Sequence, residues 1–271
     1  MVTEVNGIKV NVDIWNEQAT HTIVCLHGFT GSTKTWEQVA KLVPARIVAV
    51  DLIGHGQTAA PSDVSYYSME VQVELLEALF EQLTLSDFTL LGYSMGGRVA
   101  LSYVTRYPTR IQALILESAS PGLASNEERM ARKQADEMLA NNIEQNGIES
   151  FVSKWEDIPL FASQKNLPVT VQREIRQERL SQCEIGLANS LRGMGTGVMP
   201  QLWDALSELS MPVLLITGSL DTKFVGLSQQ MAETIPNVKN ITVAGAGHAI
   251  HVENPVEFAT IVKDNSNIIR G

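Results

Sequence analysis

A serine, an imidazole and a carboxylate in this chain could together move a proton. Ser94 lies in Gly92-Tyr93-Ser94-Met95-Gly96. This fits G-x-S-x-G, with an apolar run before it and a helical pattern after it. The spacing gives a sharp strand-to-helix turn that holds the serine in a strained backbone geometry and needs small neighbours to avoid clashes. The turn places the hydroxyl at a sheet edge and a helix N-terminus, where negative charge is favoured. Of the five histidines, His248 and His251 alone follow Ser94. His248 closes the Gly-rich Val243-Ala244-Gly245-Ala246-Gly247-His248, a loop able to carry an imidazole over the sheet edge. His251, before Glu253-Asn254-Pro255, reads as structural or surface. The carboxylate is Asp221, just beyond the apolar run 213–217. Alone it would be a turn or N-cap aspartate. In the order Ser, Asp, His it fixes the imidazole tautomer and stabilises the imidazolium formed when His248 takes the Ser94 proton.

Charge developing on a substrate oxygen needs donors. Backbone N–H groups after an early strand and after the nucleophile suit this role. They are those of Phe29, in His27-Gly28-Phe29-Thr30-Gly31, and of Met95. His27 then organises its loop, and His55, in Asp51-Leu52-Ile53-Gly54-His55-Gly56, is structural. Arg98 lies in the first turns of the helix after Ser94, where a cation opposes the helix dipole at a cost of a few tenths of a kcal/mol. An anionic ligand or a buried ion pair with a core carboxylate would each offset that cost.

These residues need a scaffold. Apolar, β-branched runs recur at 8–15, 22–26, 46–51, 88–92, 111–117, 213–217 and 240–243. Most lack alternation, as in strands covered on both faces of a mostly parallel sheet. Helical patterns separate them at 33–42, 68–83, 95–106, 226–235 and 255–261. The alternation predicts an α/β fold, and G-x-S-x-G at a strand–helix turn makes it the α/β-hydrolase type. It stops near Ser120 and resumes near Pro212. Helical patterns at 126–141, 147–155, 169–182 and 185–191 fill the interval. Residues 1–119 and 206–271 are expected to form the core, and 120–205 an inserted helical cap.

The net charge of -10 over 271 residues argues against a nucleic-acid partner, which needs a basic face. An anionic small molecule would need arginine or lysine placed locally. The two cysteines, Cys25 and Cys183, lie far apart, which suits a reducing cytoplasm better than a disulfide framework. No apolar h-region follows Met1, and no run reaches the ~20 apolar residues of a membrane span. No metal-ligand cluster or dinucleotide fingerprint is present, so no cofactor is expected. The sequence does not fix an oligomeric state.

Longer segments carry a closer resemblance: His27-Gly28-Phe29-Thr30-Gly31-Ser32, Gly92-Tyr93-Ser94-Met95-Gly96-Gly97-Arg98-Val99-Ala100-Leu101, Pro159-Leu160-Phe161-Ala162-Ser163 and Gly186-Leu187-Ala188-Asn189-Ser190-Leu191-Arg192-Gly193-Met194-Gly195-Thr196-Gly197. The chain resembles the 2-succinyl-6-hydroxy-2,4-cyclohexadiene-1-carboxylate (SHCHC) synthase family of menaquinone biosynthesis over nearly its whole length. The cap segments are the specific part. The resemblance implies a lyase that eliminates pyruvate from a substrate bearing three carboxylates, with Ser94, Asp221 and His248 as its triad. It also implies substrate contacts at Tyr93, Arg98, Arg132, Trp155 and Arg179, with Arg129 and Arg176 as neighbouring alternatives for the cap arginines. Guanidinium groups grip carboxylates bidentately, and Tyr93 and Trp155 could wall a ring. The same triad would also serve a carboxylesterase or a carbon–carbon bond hydrolase. A ligand receptor on this fold would bind with little turnover.

Overall fold

The computed structural model describes residues 1–265. Its eight strands are β1 (Val2–Val5), β2 (Ile8–Trp15), β3 (Thr22–Leu26), β4 (Arg46–Val50), β5 (Phe88–Tyr93), β6 (Ile111–Glu117), β7 (Val213–Gly218) and β8 (Val238–Val243). They form one sheet in the order β1-β2-β4-β3-β5-β6-β7-β8. The first two join antiparallel, and every pair from β4 to β8 is parallel. The α/β-hydrolase fold expected from the Ser94 motif and the strand–helix alternation is therefore present. β1 was not expected. It is a short edge strand joined to β2 through Asn6 (φ 51°) and Gly7 (φ 79°), both left-handed as a two-residue hairpin turn requires. β8 starts two residues before the apolar run because half-buried Val238 and exposed Lys239 still pair with β7.

The helices between strands are α1 (Glu37–Leu42), α2 (Met69–Gln82) and α3 (Met95–Arg106). Helices α4 (Asn126–Trp155), α5 (Val169–Leu180) and α6 (Glu184–Met194) follow β6, and α7 (Thr222–Thr234), α8 (Ile250–Glu253) and α9 (Pro255–Asp264) follow β7. Period-two alternation sends successive strand residues to opposite faces. Val24, Leu26, Leu90 and Leu114 pack with Phe80 and Val99 of α2 and α3. Ile23, Cys25, Leu91 and Ile115 pack with Val39, Phe258 and Val262 of α1 and α9. No helix among the described residues is long and apolar enough to cross a membrane.

No strand lies between β6 and β7. The helical patterns expected at 126–141 and 147–155 run together as α4, broken at Gly147 (φ 76°). Leu187, Ala188 and Leu191 of α6 pack on Ala140, Ile143, Phe151 and Val152 of α4. Arg192 ties the same pair together through Glu137, Asn141 and Glu144, at 3.1, 2.7 and 2.7 Å.

Parallel pairing sets the ends of β3 and β5 level, with Leu26 opposite Gly92. The loops after both strands therefore meet at one sheet edge. The contact tolerates no side chain at Gly96, where a Cβ would stand 2.2 Å from the Leu26 carbonyl oxygen. Gly96→Ala is expected to lower unfolding free energy by about 2–3 kcal/mol. An unchanged denaturant midpoint would show that this contact is slack.

Candidate active site

Ser94 stands between β5 and α3 with φ 51° and ψ −106°, a conformation costing a non-glycine residue roughly 1–3 kcal/mol. The surroundings impose it. Its N–H donates to the Glu117 carbonyl at the end of β6 (2.9 Å), and its own carbonyl accepts from Arg98 N–H (3.1 Å). The hydroxyl makes no cap bond to α3 and meets His248 Nε2 at 2.9 Å.

His248 is 1% exposed. Its Nδ1 lies 2.6 Å from Asp221 Oδ2, so the carboxylate takes the Nδ1–H and leaves the Nε2 lone pair for the serine. Asp221 also N-caps α7, with Oδ1 accepting from Phe224 N–H at 3.4 Å. Its two readings, cap and imidazole partner, are thus both true. The cap starts α7 at Thr222, four residues before the expected 226. Phe224 then packs its ring 4.6 Å from His248.

His251 is buried, which settles its two readings. Nδ1 and the backbone N–H both bond Glu117 (2.8 and 3.0 Å), Nε2 meets Thr35 Oγ1 at 2.8 Å, and the ring stacks on Trp36. His27 and His55 are buried outside the cavity. Leu52 N–H donates to His27 Nε2 (3.0 Å), so His27 Nδ1–H donates to the Gly28 carbonyl (2.8 Å). His55 bonds the Ile53 carbonyl at 3.1 Å.

A cavity of about 830 Å³ opens over Ser94. It is lined by Phe29, Tyr93, Met95, Arg98, Arg132, Trp155 and His248 as well as Ser94, so all of these share one chamber. Among the described residues, neither Phe29 N–H nor Met95 N–H has a protein acceptor. Arg98 donates through Nη1 to the Met194 carbonyl, the last of α6, at 2.5 Å. A guanidinium at a helix C-terminus offsets part of its cost at the start of α3. It has no direct carboxylate partner among the described residues. Burial, then the nearby Arg132 charge, lower its pKa to about 10, and Asp136 acts the other way. Arg132 reaches Asp136 Oδ1 at 2.8 Å, one turn along α4. Burial raises the Asp136 carboxyl, against the pull of both arginines. Trp155 packs against Phe29, Phe151 and Phe161 at 5.5, 5.4 and 5.8 Å, and its buried Nε1–H has no partner among the described residues.

Arg179 does not line this chamber itself, but it lines a small hollow beside it with Phe29, Tyr93 and Phe161. It lies 4.5 Å over the Phe161 ring and donates to Gln164 Oε1 at 2.9 Å. It lines a separate hollow of about 400 Å³ with Arg173 and Arg176. Phe161, 6.2 Å from His248, lines both this hollow and the Ser94 chamber. Arg176 pairs with Glu156, and Arg129 does not line the Ser94 chamber. Lys223, Leu227 and Gln230 of α7, with Trp203 and Glu128, also line the chamber. Lys223 and Phe224 had a signal in the sequence, since they lie two and three residues after Asp221. Among the described residues, no group of three or more His, Cys, Asp or Glu side chains is placed to hold a metal ion.

Comparison with known proteins bears on this geometry. The profile of the alpha/beta hydrolase fold family matches residues 21–255. A Bacillus subtilis (strain 168) protein assigned as a 2-succinyl-6-hydroxy-2,4-cyclohexadiene-1-carboxylate synthase is 44% identical over 97% of this chain and 96% of its own. The chain belongs to the SHCHC synthase family. The Salmonella typhimurium synthase is 30% identical over 94% of this chain and 96% of its own. The solved structure of MenH from S. aureus superposes with a TM-score of 0.89, at 37% identity, over 96% of this chain and 98% of that one. The resemblance read from the cap and elbow segments therefore holds along the chain.

The buried imidazoles give a pH prediction. Burial holds His27 at about 4, and burial followed by the His27 charge holds His55 at about 3. Unfolded, each titrates near 6.5. The unfolded chain therefore binds more protons below about pH 6.5, and stability from each imidazole is lost as pH falls towards 4. His55→Asn should lose about 3 kcal/mol less than the parent between pH 6.5 and 4. Denaturant unfolding at both pH values reads this difference. The difference isolates His55 from buried Asp51 and Asp136 and half-buried Glu178, whose raised carboxyls act in the opposite sense.

Proposed function

We propose that this chain is the lyase its relatives are named for. It converts 2-succinyl-5-enolpyruvyl-6-hydroxy-3-cyclohexene-1-carboxylate to SHCHC and pyruvate in menaquinone biosynthesis. The observation that carries the reading is Arg98. It is a half-buried cation with no carboxylate partner among the described residues, set in the wall of the Ser94 chamber of a chain with net charge -10. Arg98, Arg132 and Lys223 outnumber Glu128 along that wall, as a ligand with several carboxylates requires.

The chemistry follows from where charge must go. His248 Nε2 takes the Ser94 hydroxyl proton while Asp221 balances the imidazolium. The serine oxygen removes the C2 proton beside the succinyl ketone, and the ketone oxygen gains the negative charge. The Phe29 and Met95 N–H groups stabilise that oxygen, as they would a tetrahedral oxyanion. The charge then collapses through the ring: a double bond forms at C2–C3, the 3-ene shifts to C4–C5, and the C5–O bond breaks. Enolpyruvate leaves and takes the proton held by His248 to become pyruvate, so protons balance overall. A serine oxygen serves as a base only where water is excluded. The helical segment 120–205, proposed as a cap, supplies that cover through Trp155 and Phe161. Tyr93 and Trp155 are proposed to hold the ring, and Arg98 and Arg132 the carboxylates. The proposed setting is the cytoplasm, which suits the free Cys25 and Cys183.

The test generates the substrate in situ with the preceding enzyme and follows pyruvate and the conjugated diene together. Both should rise in equal amounts, and Ser94→Ala should abolish the rise while the fold persists. Cleavage of aryl esters with a burst and no diene would instead make the triad an acyl-transfer device. Arg98→Ala should lower kcat/KM by roughly a hundredfold, the loss of one or two charged hydrogen bonds. Arg98→Lys should recover only part of it, since a point charge cannot replace a bidentate fork. Unchanged kinetics in Arg98→Ala would contradict the anchoring role.

A further inference from the structure

His248 is delivered by a turn. β8 ends at Val243 and α8 begins at Ile250, so residues 244–249 have neither ladder nor helix to hold them. The peptide N–H groups on either side of the imidazole end on one side chain. Gly247 N–H donates to Glu253 Oε2 at 2.7 Å, and Ala249 N–H donates to Glu253 Oε1 at 3.3 Å. The second bond has the logic of a capping box, because Ala249 is the N-cap of α8 and Glu253 reaches back to it. The first bond is shorter and lies outside the helix, which does not need it.

We propose that Glu253 is a positioning residue for His248; this rests on the assignment of His248 as the base. A carboxylate that accepts from both flanking peptides fixes the pitch of the segment 247–249. With Asp221 on Nδ1, it leaves the ring one way to face Ser94. The turn is also closely packed at Gly247, where a Cβ would stand 2.1 Å from Ser163 Oγ. The far end of the turn is tied as well. His251 bonds Glu117 through its backbone and its ring, and the Glu117 carbonyl accepts from Ser94 N–H. Nucleophile and base are thus registered through two carboxylate side chains that touch neither reacting atom. Such a frame matters because a displacement of about 1 Å costs roughly a hundredfold in rate.

Glu253→Gln and Glu253→Asp test this. The amide of glutamine has one acceptor oxygen, and its NH₂ faces a second N–H. Aspartate is one methylene too short to span both. We measure kcat and KM for pyruvate release, the rate at which a fluorophosphonate labels Ser94, and the melting midpoint. Glu253→Gln should lower kcat roughly tenfold or more with KM within about twofold, and slow labelling by a similar factor. Glu253→Asp should lie between it and the parent. Folded Glu253→Gln with kcat and labelling within about twofold of the parent, or a loss confined to KM, would overturn the proposal. Should the glutamine variant not fold, the aspartate variant decides by the same readouts. If the parent releases no pyruvate, the proposed function fails while the labelling rates still judge Glu253.

Discussion

The hydrogen bond from Ser94 to His248 Nε2 joins residues 154 positions apart, and most of the structure can be read as the means of holding it. Parallel strands bring their C-terminal ends to one edge, so the loops after β3, β5, β7 and β8 meet there. Ser94 is kept in a left-handed backbone by close packing behind it. His248 is aimed from the side by Asp221, which the start of α7 fixes in turn. None of these segments adopts its geometry from local preference alone. Ser94 is strained and the His248 turn has little regular structure, so tertiary contacts supply the order that propensity does not.

The helical segment over this edge changes what the three residues can do. An open serine–imidazole pair faces water, whereas one beneath Trp155, Phe161 and Phe29 faces an apolar wall set with guanidinium groups. In low dielectric those charges act strongly on an anion and repel each other when the chamber is empty. Asp136, buried beside Arg132, moderates that repulsion. The cap of Arg98 on the last carbonyl of α6 also joins core to helical segment at the point where charge is concentrated.

The sequence disclosed the local parts well and the assembled parts poorly. Ser94, Asp221 and His248 each sit in a short motif with a strand beside it, so their order and context could be read directly. The Asn6-Gly7 turn is an equally local signal for β1, but Val2–Val5 is short and half polar and so lacks the apolar run that marks the other strands. His251 could not be placed from sequence, because its burial depends on Glu117 and Thr35, both remote in the chain. Arg98 stood out as a cation at a helix start, but the α6 carbonyl that receives it was invisible before the helices were docked. Arg179 shows the same limit from the other side. A helical arginine near the chamber can face either side of Phe161, and only the register of α5 decides which.

The account turns on whether the serine oxygen moves a proton. The most direct measurement is a single-turnover rate of pyruvate formation with substrate carrying deuterium at C2, compared with unlabelled substrate. Excess enzyme removes product release from the comparison. Proton abstraction by Ser94 predicts several-fold slower pyruvate formation from the deuterated substrate. Equal rates, with a Ser94-linked acyl species trapped on quenching, would contradict it and make carbon–oxygen bond formation at the serine the true first step.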